Sequence, residues 1–198
     1  MTFLFLQTYK IDSNQVDVYE AKRIGKKRHL FFSVPEIDML EAFKTFNPFP
    51  TELKNFYMEI GFGFLHRKKG QLNILLDPVS LVNSNLKLGY FKDDPYIENA
   101  FKHCNNEKQL LFFKMHTGQY LSINREEEKD KNAIFYKEKQ ITSSLYDFLR
   151  YYNNNPDYLK EEMKEIEELS EKINKNKNTP TKRANVKYIG GHRLIDPY

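Results

Sequence analysis

The side chains with the greatest chemical capacity in this sequence are its histidines and its cysteine. The 5 histidines are His29, His66, His103, His116 and His192. No two of them have the four-residue spacing by which a helix holds a zinc ion. His103 and Cys104 are adjacent, so on a helix their side chains point about 100° apart and do not easily face one site. We therefore interpret Cys104 as a small buried hydrophobic residue rather than a nucleophile.

Carboxylates adjoin one another at two places, Asp93–Asp94 and Glu126–Glu128. Glycosidase-type hydrolysis needs two carboxylates about 5–10 Å apart across a cleft, and neighbours on a solvated loop seldom provide that arrangement. We expect Asp93 or Asp94 to cap a helix and Glu126, Glu127 and Glu128 to be solvated. The functional alternative is an acidic contact patch for a basic partner.

Gly61 and Gly63 lie two residues apart but do not form a dinucleotide-binding loop. The third glycine of that fingerprint is missing, and the segment precedes an apolar strand instead of opening a helix. The pattern predicts a helix that ends at Gly61 with positive φ. It predicts a bulge or a close backbone approach at Gly63.

Tyr90, Phe91 and Tyr96 flank the Asp93–Asp94 pair. Exposed aromatic side chains beside charges are typical of protein interfaces. The alternative is that these rings complete the hydrophobic core, and the sequence leaves both interpretations open.

Five segments of the sequence predict helices that would position these residues. Ser33–Glu36 has the spacing of a capping box before a helix over about 35–46, with Ile37, Leu40 and Phe43 as its apolar face. A second helix over 51–60 places Leu53, Phe56, Tyr57 and Ile60 on one face. Asp77–Pro78 and Asp93–Pro95 are start signals for two further helices, the first of which would cover the sheet with Val79, Leu81, Val82 and Leu86. Ser143–Ser144 precedes a helix whose inner face is Leu145, Phe148, Leu149 and Tyr152.

The strands are predicted by short runs that are rich in β-branched or aromatic residues, or in which apolar and polar residues alternate. They lie at 62–65, 72–76, 109–114, 119–123 and 133–136, and an N-terminal hairpin pairs 16–20 with 29–32. From residue 157 to 172 a highly charged stretch with an apolar stripe predicts a further helix. Beyond it the sequence is basic and of low complexity.

Length and composition limit the class of protein. The 198 residues carry 31 basic and 27 acidic side chains, a net charge of +4, and a single cysteine. This mild charge has no concentrated basic stripe, so no nucleic-acid partner is expected. One cysteine excludes an internal disulfide. No apolar run approaches the 18 or so residues that a membrane helix needs. We expect a soluble cytoplasmic protein.

Three motifs follow one another in the central region. Pro50, Leu53, Lys54 and the pair Phe56–Tyr57 form a helix motif that leads into the glycine-containing strand Ile60–Leu65. Leu111–Ile123 predicts two apolar strands around a glycine turn, and Ser144–Leu149 predicts the closing helix. In this order the motifs resemble the SUKH superfamily, which includes fungal cell-wall-synthesis regulators and many bacterial immunity proteins. The resemblance covers about residues 34–153.

The resemblance implies an α+β fold, with a mostly antiparallel or mixed β-sheet packed against helices. Around it we expect an N-terminal β extension over 1–34, a SUKH-like domain over 35–155, and a charged helix and basic tail over 156–198. The implied function is non-enzymatic protein binding, as an immunity protein that neutralises a cognate secreted or contact-dependent toxin by steric occlusion. No cofactor, metal or membrane contact is expected, and the oligomeric state is open.

Two alternatives remain, a regulatory scaffold with several partners and a hydrolase with a dispersed site that uses His116 or His66. For the binding function, the candidate contact residues combine the aromatic segment with the acidic loop as a rim. They are Tyr90, Phe91, Asp93, Asp94, Tyr96, Glu126, Glu127 and Glu128.

Overall fold

The computed structural model describes residues 2–11, 28–68, 71–129, 131–155 and 157–177, and it has the predicted α+β fold. The α-helices of this part of the chain are α1 (Glu36–Thr45), α2 (Thr51–Glu59), α3 (Pro78–Asn85), α4 (Pro95–Phe101), α5 (Leu145–Asn154) and α6 (Tyr158–Lys177). Two 3-10 helices, Leu4–Tyr9 and Gly89–Phe91, lie before the first strand and between α3 and α4.

One sheet of eight strands follows the order of the chain. The strands are β1 (Lys10–Ile11), β2 (Leu30–Phe32), β3 (Phe62–Lys68), β4 (Gln71–Leu75), β5 (Gln109–Lys114), β6 (Tyr120–Asn124), β7 (Ile134–Tyr136) and β8 (Lys139–Thr142). β1 and β2 are parallel, and every other neighbouring pair is antiparallel. The sheet is therefore mixed, as predicted.

Gly61 and Gly63 allow β2 and β3 to approach closely. Gly61 ends α2 with φ 116°, as predicted, and its N–H donates to the Phe56 carbonyl at 3.0 Å. A Cβ added at Gly63 would lie 2.0 Å from the Leu30 carbonyl oxygen, and one at Gly61 would lie 1.8 Å from that of Phe32. Neither position has room for a side chain, which confirms the predicted close approach at Gly63.

The core lies between the sheet and the helices α2 and α5. The predicted inner faces of both helices are confirmed, since Leu53, Phe56 and Tyr57 of α2 are buried. The predicted inner face of α5 is buried as well, and consists of Leu145, Phe148, Leu149 and Tyr152. Phe148 of α5 meets Phe113 of β5 edge to face, with ring centroids 5.5 Å apart. This aromatic packing makes the sheet a rigid support for the loops at its ends.

A buried carboxylate, which the sequence did not single out, joins three separate segments. Glu52 is 3% exposed, and its Oε2 accepts hydrogen bonds from the N–H groups of Asn132 at 2.9 Å and Leu145 at 2.8 Å. The Asn132 side chain accepts one from the Glu52 N–H at 2.9 Å. Glu52 thus ties the start of α2 to the loop before β7 and to the start of α5.

Helix α1 differs from its prediction in both its cap and its face. It begins at Glu36 with Pro35 as the N-cap and without a side-chain cap hydrogen bond, so the capping box of Ser33 is wrong. Pro35 occupies the N-cap position, where its ring fixes φ, and Ser33 lies two residues before that position. Ala42 is the fully buried residue, whereas Ile37 is 72% and Leu40 55% exposed. The helix is rotated away from its expected apolar face.

Part of the N-terminal and C-terminal predictions lies outside the described residues. The predicted strand 16–20 and the tail beyond residue 177 belong to that part. Residues 30–32 of the predicted hairpin form β2, but β2 pairs with β1 in parallel and with β3, so its neighbours in the sheet are not those of the predicted hairpin. The charged helix is observed as α6. The 3-10 helix Leu4–Tyr9 was not predicted.

The chain divides into two compact units, residues 1–163 and 164–198. The first contains the whole eight-stranded sheet. The described part of the second is helical, and Lys164 and Glu168 form an ion pair of 3.8 Å one turn apart.

Candidate protein-binding surface

The start of α4 fixes the segment that carries the candidate aromatic residues. Asp94 is the N-cap of α4, and its Oδ1 accepts a hydrogen bond from the Tyr96 N–H at 2.8 Å, with Pro95 in the first turn. Its Oδ2 lies 3.6 Å from Nζ of Lys114 in β5, and the side chain is only 9% exposed. Asp94 therefore anchors the segment to the sheet, while the neighbouring Asp93 is exposed.

Exposed apolar side chains precede and follow Asp93 in the chain. Tyr90 is 86% and Tyr96 49% exposed, and Phe91 is half-buried with its ring 5.7 Å from that of Tyr90. Leu86 and Leu88 are each 47% exposed. We define the aromatic surface as Leu86, Leu88, Tyr90, Phe91, Asp93 and Tyr96. The rings at 90 and 96 do not complete the core, which favours the interface interpretation.

Tyr96 is held in place by the turn between β5 and β6. Gly118 of that turn has φ 90°, and a Cβ added there would lie 2.7 Å from the Tyr96 ring. The ring thus rests directly on the backbone of the turn. A side chain in a fixed position loses less conformational entropy on binding than a mobile one.

A solvent-open hollow of about 400 Å³ adjoins Tyr96. Its lining includes Tyr96, His103, Cys104, Gln119, Tyr120 and Ser122. His103 and Cys104 both reach it, so the expectation that they diverge was wrong. The reason is that both follow the end of α4 and are not helical.

Cys104 and Tyr120, two acid–base groups of this hollow, are held in their neutral forms. Burial raises the pKa of Cys104 to about 11, although a hydrogen bond with Ser122 lowers it somewhat. Burial also raises the pKa of Tyr120, and the nearby Asp94 carboxylate raises it further. Nδ1 of His103 lies 3.3 Å from a carboxylate oxygen of Glu138. A reactive cysteine needs a lowered pKa, so this environment opposes nucleophilic chemistry.

The acidic loop lies at the other end of β6. Tyr120 begins this strand beside Asp94, and Asn124 ends it about 13 Å away at the rise of a strand. Arg125 and Glu126 follow, so Glu126 lies about 20 Å from Tyr120 along the same direction. Glu126, Glu127 and Glu128 are exposed, and Glu126 lies 3.4 Å from Lys108. Arg125 donates to the carbonyl oxygens of Pro48 and Glu107, each at 3.0 Å, and so fixes the start of the loop.

The hydrolase alternative uses His116 or His66, and the structure describes the side chain of His116 but only the backbone of His66. The His116 N–H donates to Oδ1 of Asn73 at 2.9 Å, and its ring Nδ1 lies 3.3 Å from the same oxygen. The group that faces its ring is therefore an amide, not a carboxylate or a nucleophile. The backbone of His66 belongs to β3, and its side chain lies outside the described residues.

Sequence reasoning missed three residues that shape this surface. Leu86 was expected to cover the sheet, and Val79 with it, yet Leu86 is 47% and Val79 44% exposed, whereas Leu81 and Val82 are buried. Leu88 and Gly118 were not singled out as parts of a site. Helical spacing predicts which residues of α3 share a face. It does not predict how much of each face the rest of the protein buries.

No group of three or more His, Cys, Asp or Glu side chains in the described ranges is arranged to hold a metal ion. In the same part of the chain, every helix is too short or too polar to cross a membrane.

Comparison with known proteins gives one clear similarity. The chain is 35% identical over 135 residues to a protein of Bacillus subtilis (strain 168) named Immunity protein YxxD. The alignment covers 68% of this chain and 90% of that protein. No family model matches the chain, and no solved structure is significantly similar to it.

Proposed function

The chain belongs to the family of the Bacillus subtilis immunity protein YxxD, and from that membership we propose that it is itself an immunity protein. It binds a protein toxin and covers the toxin's active site without chemistry of its own. The bound state is stoichiometric, with one tight partner, which distinguishes this function from that of a scaffold with several weak partners.

The observation that carries this proposal is the exposure of Tyr90 and Tyr96 in one segment, with the Tyr96 ring against the turn at Gly118. Tyrosines contribute strongly to protein interfaces because each buries a large area and loses few rotamers. The aromatic surface also contains leucines at its edge and the free carboxylate of Asp93. An apolar centre with a charged neighbour is the usual composition of a binding site for a protein.

The loop Glu126–Glu128 serves as the rim of the same interface in this proposal. A standard interface buries about 800 Å² on each partner, which is a patch roughly 30 Å across, and the separation of about 20 Å between Tyr120 and Glu126 fits within it. Exposed rim charges mainly change the rate of association. The loop therefore attracts a basic partner, while the aromatic surface holds it.

The SUKH-like fold of residues 35–155 is part of the proposal and rests on the motif residues. Pro50, Leu53 and Phe56 lie at the start and on the inner face of α2, and Leu145 and Phe148 lie on the inner face of α5. These are core positions. Superposition of an experimental structure on SUKH domains tests this assignment.

Calorimetric titration of a purified toxin domain encoded beside the gene for this chain tests the function. We expect one-to-one binding, and Tyr90→Ser with Tyr96→Ser should weaken it at least about 100-fold, because two hot-spot tyrosines are removed. The matched control is Tyr151→Ser, another tyrosine that is 43% exposed but lies on α5. It should change the affinity less than about 2-fold.

The rim is tested with the same toxin domain by association kinetics. Glu127→Lys with Glu128→Lys should slow association at low salt and leave dissociation unchanged. Asp93→Lys, rather than a change at Asp94, tests the charge of the centre, because Asp94 caps α4.

Equal affinity of the tyrosine variant and the wild-type protein would remove the aromatic surface from the proposal.

A further inference from the structure

A second exposed apolar site lies between α1 and α3. Ile37 and Leu40 lie three residues apart on α1 and are 72% and 55% exposed, and Val79 of α3 is 44% exposed. A groove of about 210 Å³, including its open part, runs between the two helices. Its lining is Asp38 and Glu41 of α1 with Pro78, Val79, Val82 and Asn83 of α3. We define these six residues, with Ile37 and Leu40, as the α1–α3 groove.

The groove has a mainly apolar side on α3 and two carboxylates on its α1 side, next to the exposed Ile37 and Leu40. Asp38 and Glu41 lie three residues apart, so they are neighbours on the same side of α1. In the described structure neither carboxylate forms an ion pair, and α3 contributes no charged side chain between Pro78 and Asn85. The space between Asp38 and Glu41 is therefore complementary to one cationic side chain with apolar neighbours.

The groove is continuous with the aromatic surface through α3. Val79 and Leu86 are seven residues apart, nearly two turns, so they lie on the same face about 10 Å from each other. Asn83 lies between them on that face, and α3 contacts the 3-10 helix that carries Tyr90. A single partner can therefore cover both sites within an interface of ordinary size.

We propose that the toxin interface extends over α3 into the α1–α3 groove, where an arginine or lysine of the toxin lies between Asp38 and Glu41. Apolar residues next to that cation pack on Ile37, Leu40 and Val79. This inference rests on the proposed function, and it specifies the chemistry of the toxin surface as a basic side chain flanked by apolar ones.

Two variants separate the apolar and the charged parts of the groove. Ile37→Ser with Leu40→Ser removes exposed apolar groups, and Asp38→Asn with Glu41→Gln removes only charge. The matched controls are Met58→Ser, which is 59% exposed on α2, and Glu165→Gln with Glu168→Gln, which are two exposed carboxylates at the same spacing on α6.

The experiment is titration of the purified toxin domain with each full-length variant at two salt concentrations. Each groove variant should weaken binding at least about 10-fold, and the charge variant should also reduce the dependence of affinity on salt. A photo-crosslinking residue in place of Leu40 should attach to a toxin segment that contains Arg or Lys. The controls should bind like the wild-type protein.

Three outcomes contradict the inference, and they are distinguishable. If the groove variants bind like wild type while Tyr90→Ser with Tyr96→Ser does not, the groove is overturned and the proposed function stands. If the toxin domain does not bind the wild-type protein, both fall. If the purified protein is a dimer that Ile37→Ser with Leu40→Ser makes monomeric, the groove is covered by a second copy.

Discussion

At the residue scale, the structure separates two carboxylates that the sequence presents as equivalent. Asp93 and Asp94 are adjacent, but only Asp94 caps α4 and pairs with Lys114, so only Asp93 is available to a partner. The capping role was predictable because a cap depends on residues within one turn. The burial of Glu52 was not predictable, because its partners Asn132 and Leu145 are 80 and 93 residues away in the chain.

Glu52 gives the protein a specific dependence of stability on pH. Burial raises the pKa of Glu52 above its ordinary value of 4.5, although backbone hydrogen bonds lower it by less. The folded state then holds the proton more tightly than the unfolded state. The contribution of Glu52 to the free energy of unfolding therefore falls as the pH rises from about 4.5 through the raised pKa.

Glu52→Gln tests this dependence, because glutamine does not titrate. The free energy of unfolding of Glu52→Gln, relative to wild type, should increase between pH 4.5 and pH 7 in urea titrations. Glu52→Ala should lose about 2–5 kcal/mol at neutral pH, since it leaves two buried N–H groups without an acceptor. Glu98→Gln, on the exposed surface of α4, is the control for loss of one charge. A difference between Glu52→Gln and wild type that stays constant with pH contradicts the account.

At the element scale, local signals predicted most helices and strands, and each failure has a physical cause. Asp77 and Ser144 are N-caps as predicted, with hydrogen bonds to the N–H groups of Ser80 and Asp147. Strand β8 was missed because the turn before it has no glycine or asparagine, and Lys137 adopts φ 55° instead. The face of α1 was wrong because hydrophobic spacing does not reveal which side a neighbouring helix covers.

Gly61, directly before β3, and Gly63, its second residue, should be the least replaceable residues where β3 begins. Gly63→Ala places a Cβ against the Leu30 carbonyl at positive φ, so it should lower the free energy of unfolding by at least about 3 kcal/mol. Gly89→Ala is the matched control, because Gly89 has φ 53° with nothing within 4 Å of an added Cβ. It should cost about 1 kcal/mol. Equal losses in thermal or urea unfolding would mean that close strand approach does not determine the effect.

At the scale of the whole molecule, the sequence predicted the fold class but not the full extent of the proposed interface. The α+β class follows from the order of apolar runs, caps and turns. The exposure of Ile37, Leu40, Val79 and Leu86 follows from how α1 and α3 pack, which no local pattern encodes. The aromatic segment could be identified from the sequence because its rings flank charges. The groove could not be identified, since its apolar residues have the spacing of a core face.

The central claim is neutralisation by occlusion, and titration of toxin activity with this protein tests it most directly. Steric blocking predicts that activity falls linearly and ends at one molecule of protein per toxin. The toxin recovered after dissociation should have an unchanged mass and full activity. Inactivation at a small fraction of one equivalent, or a covalent change in the recovered toxin, would contradict the claim and indicate an enzyme.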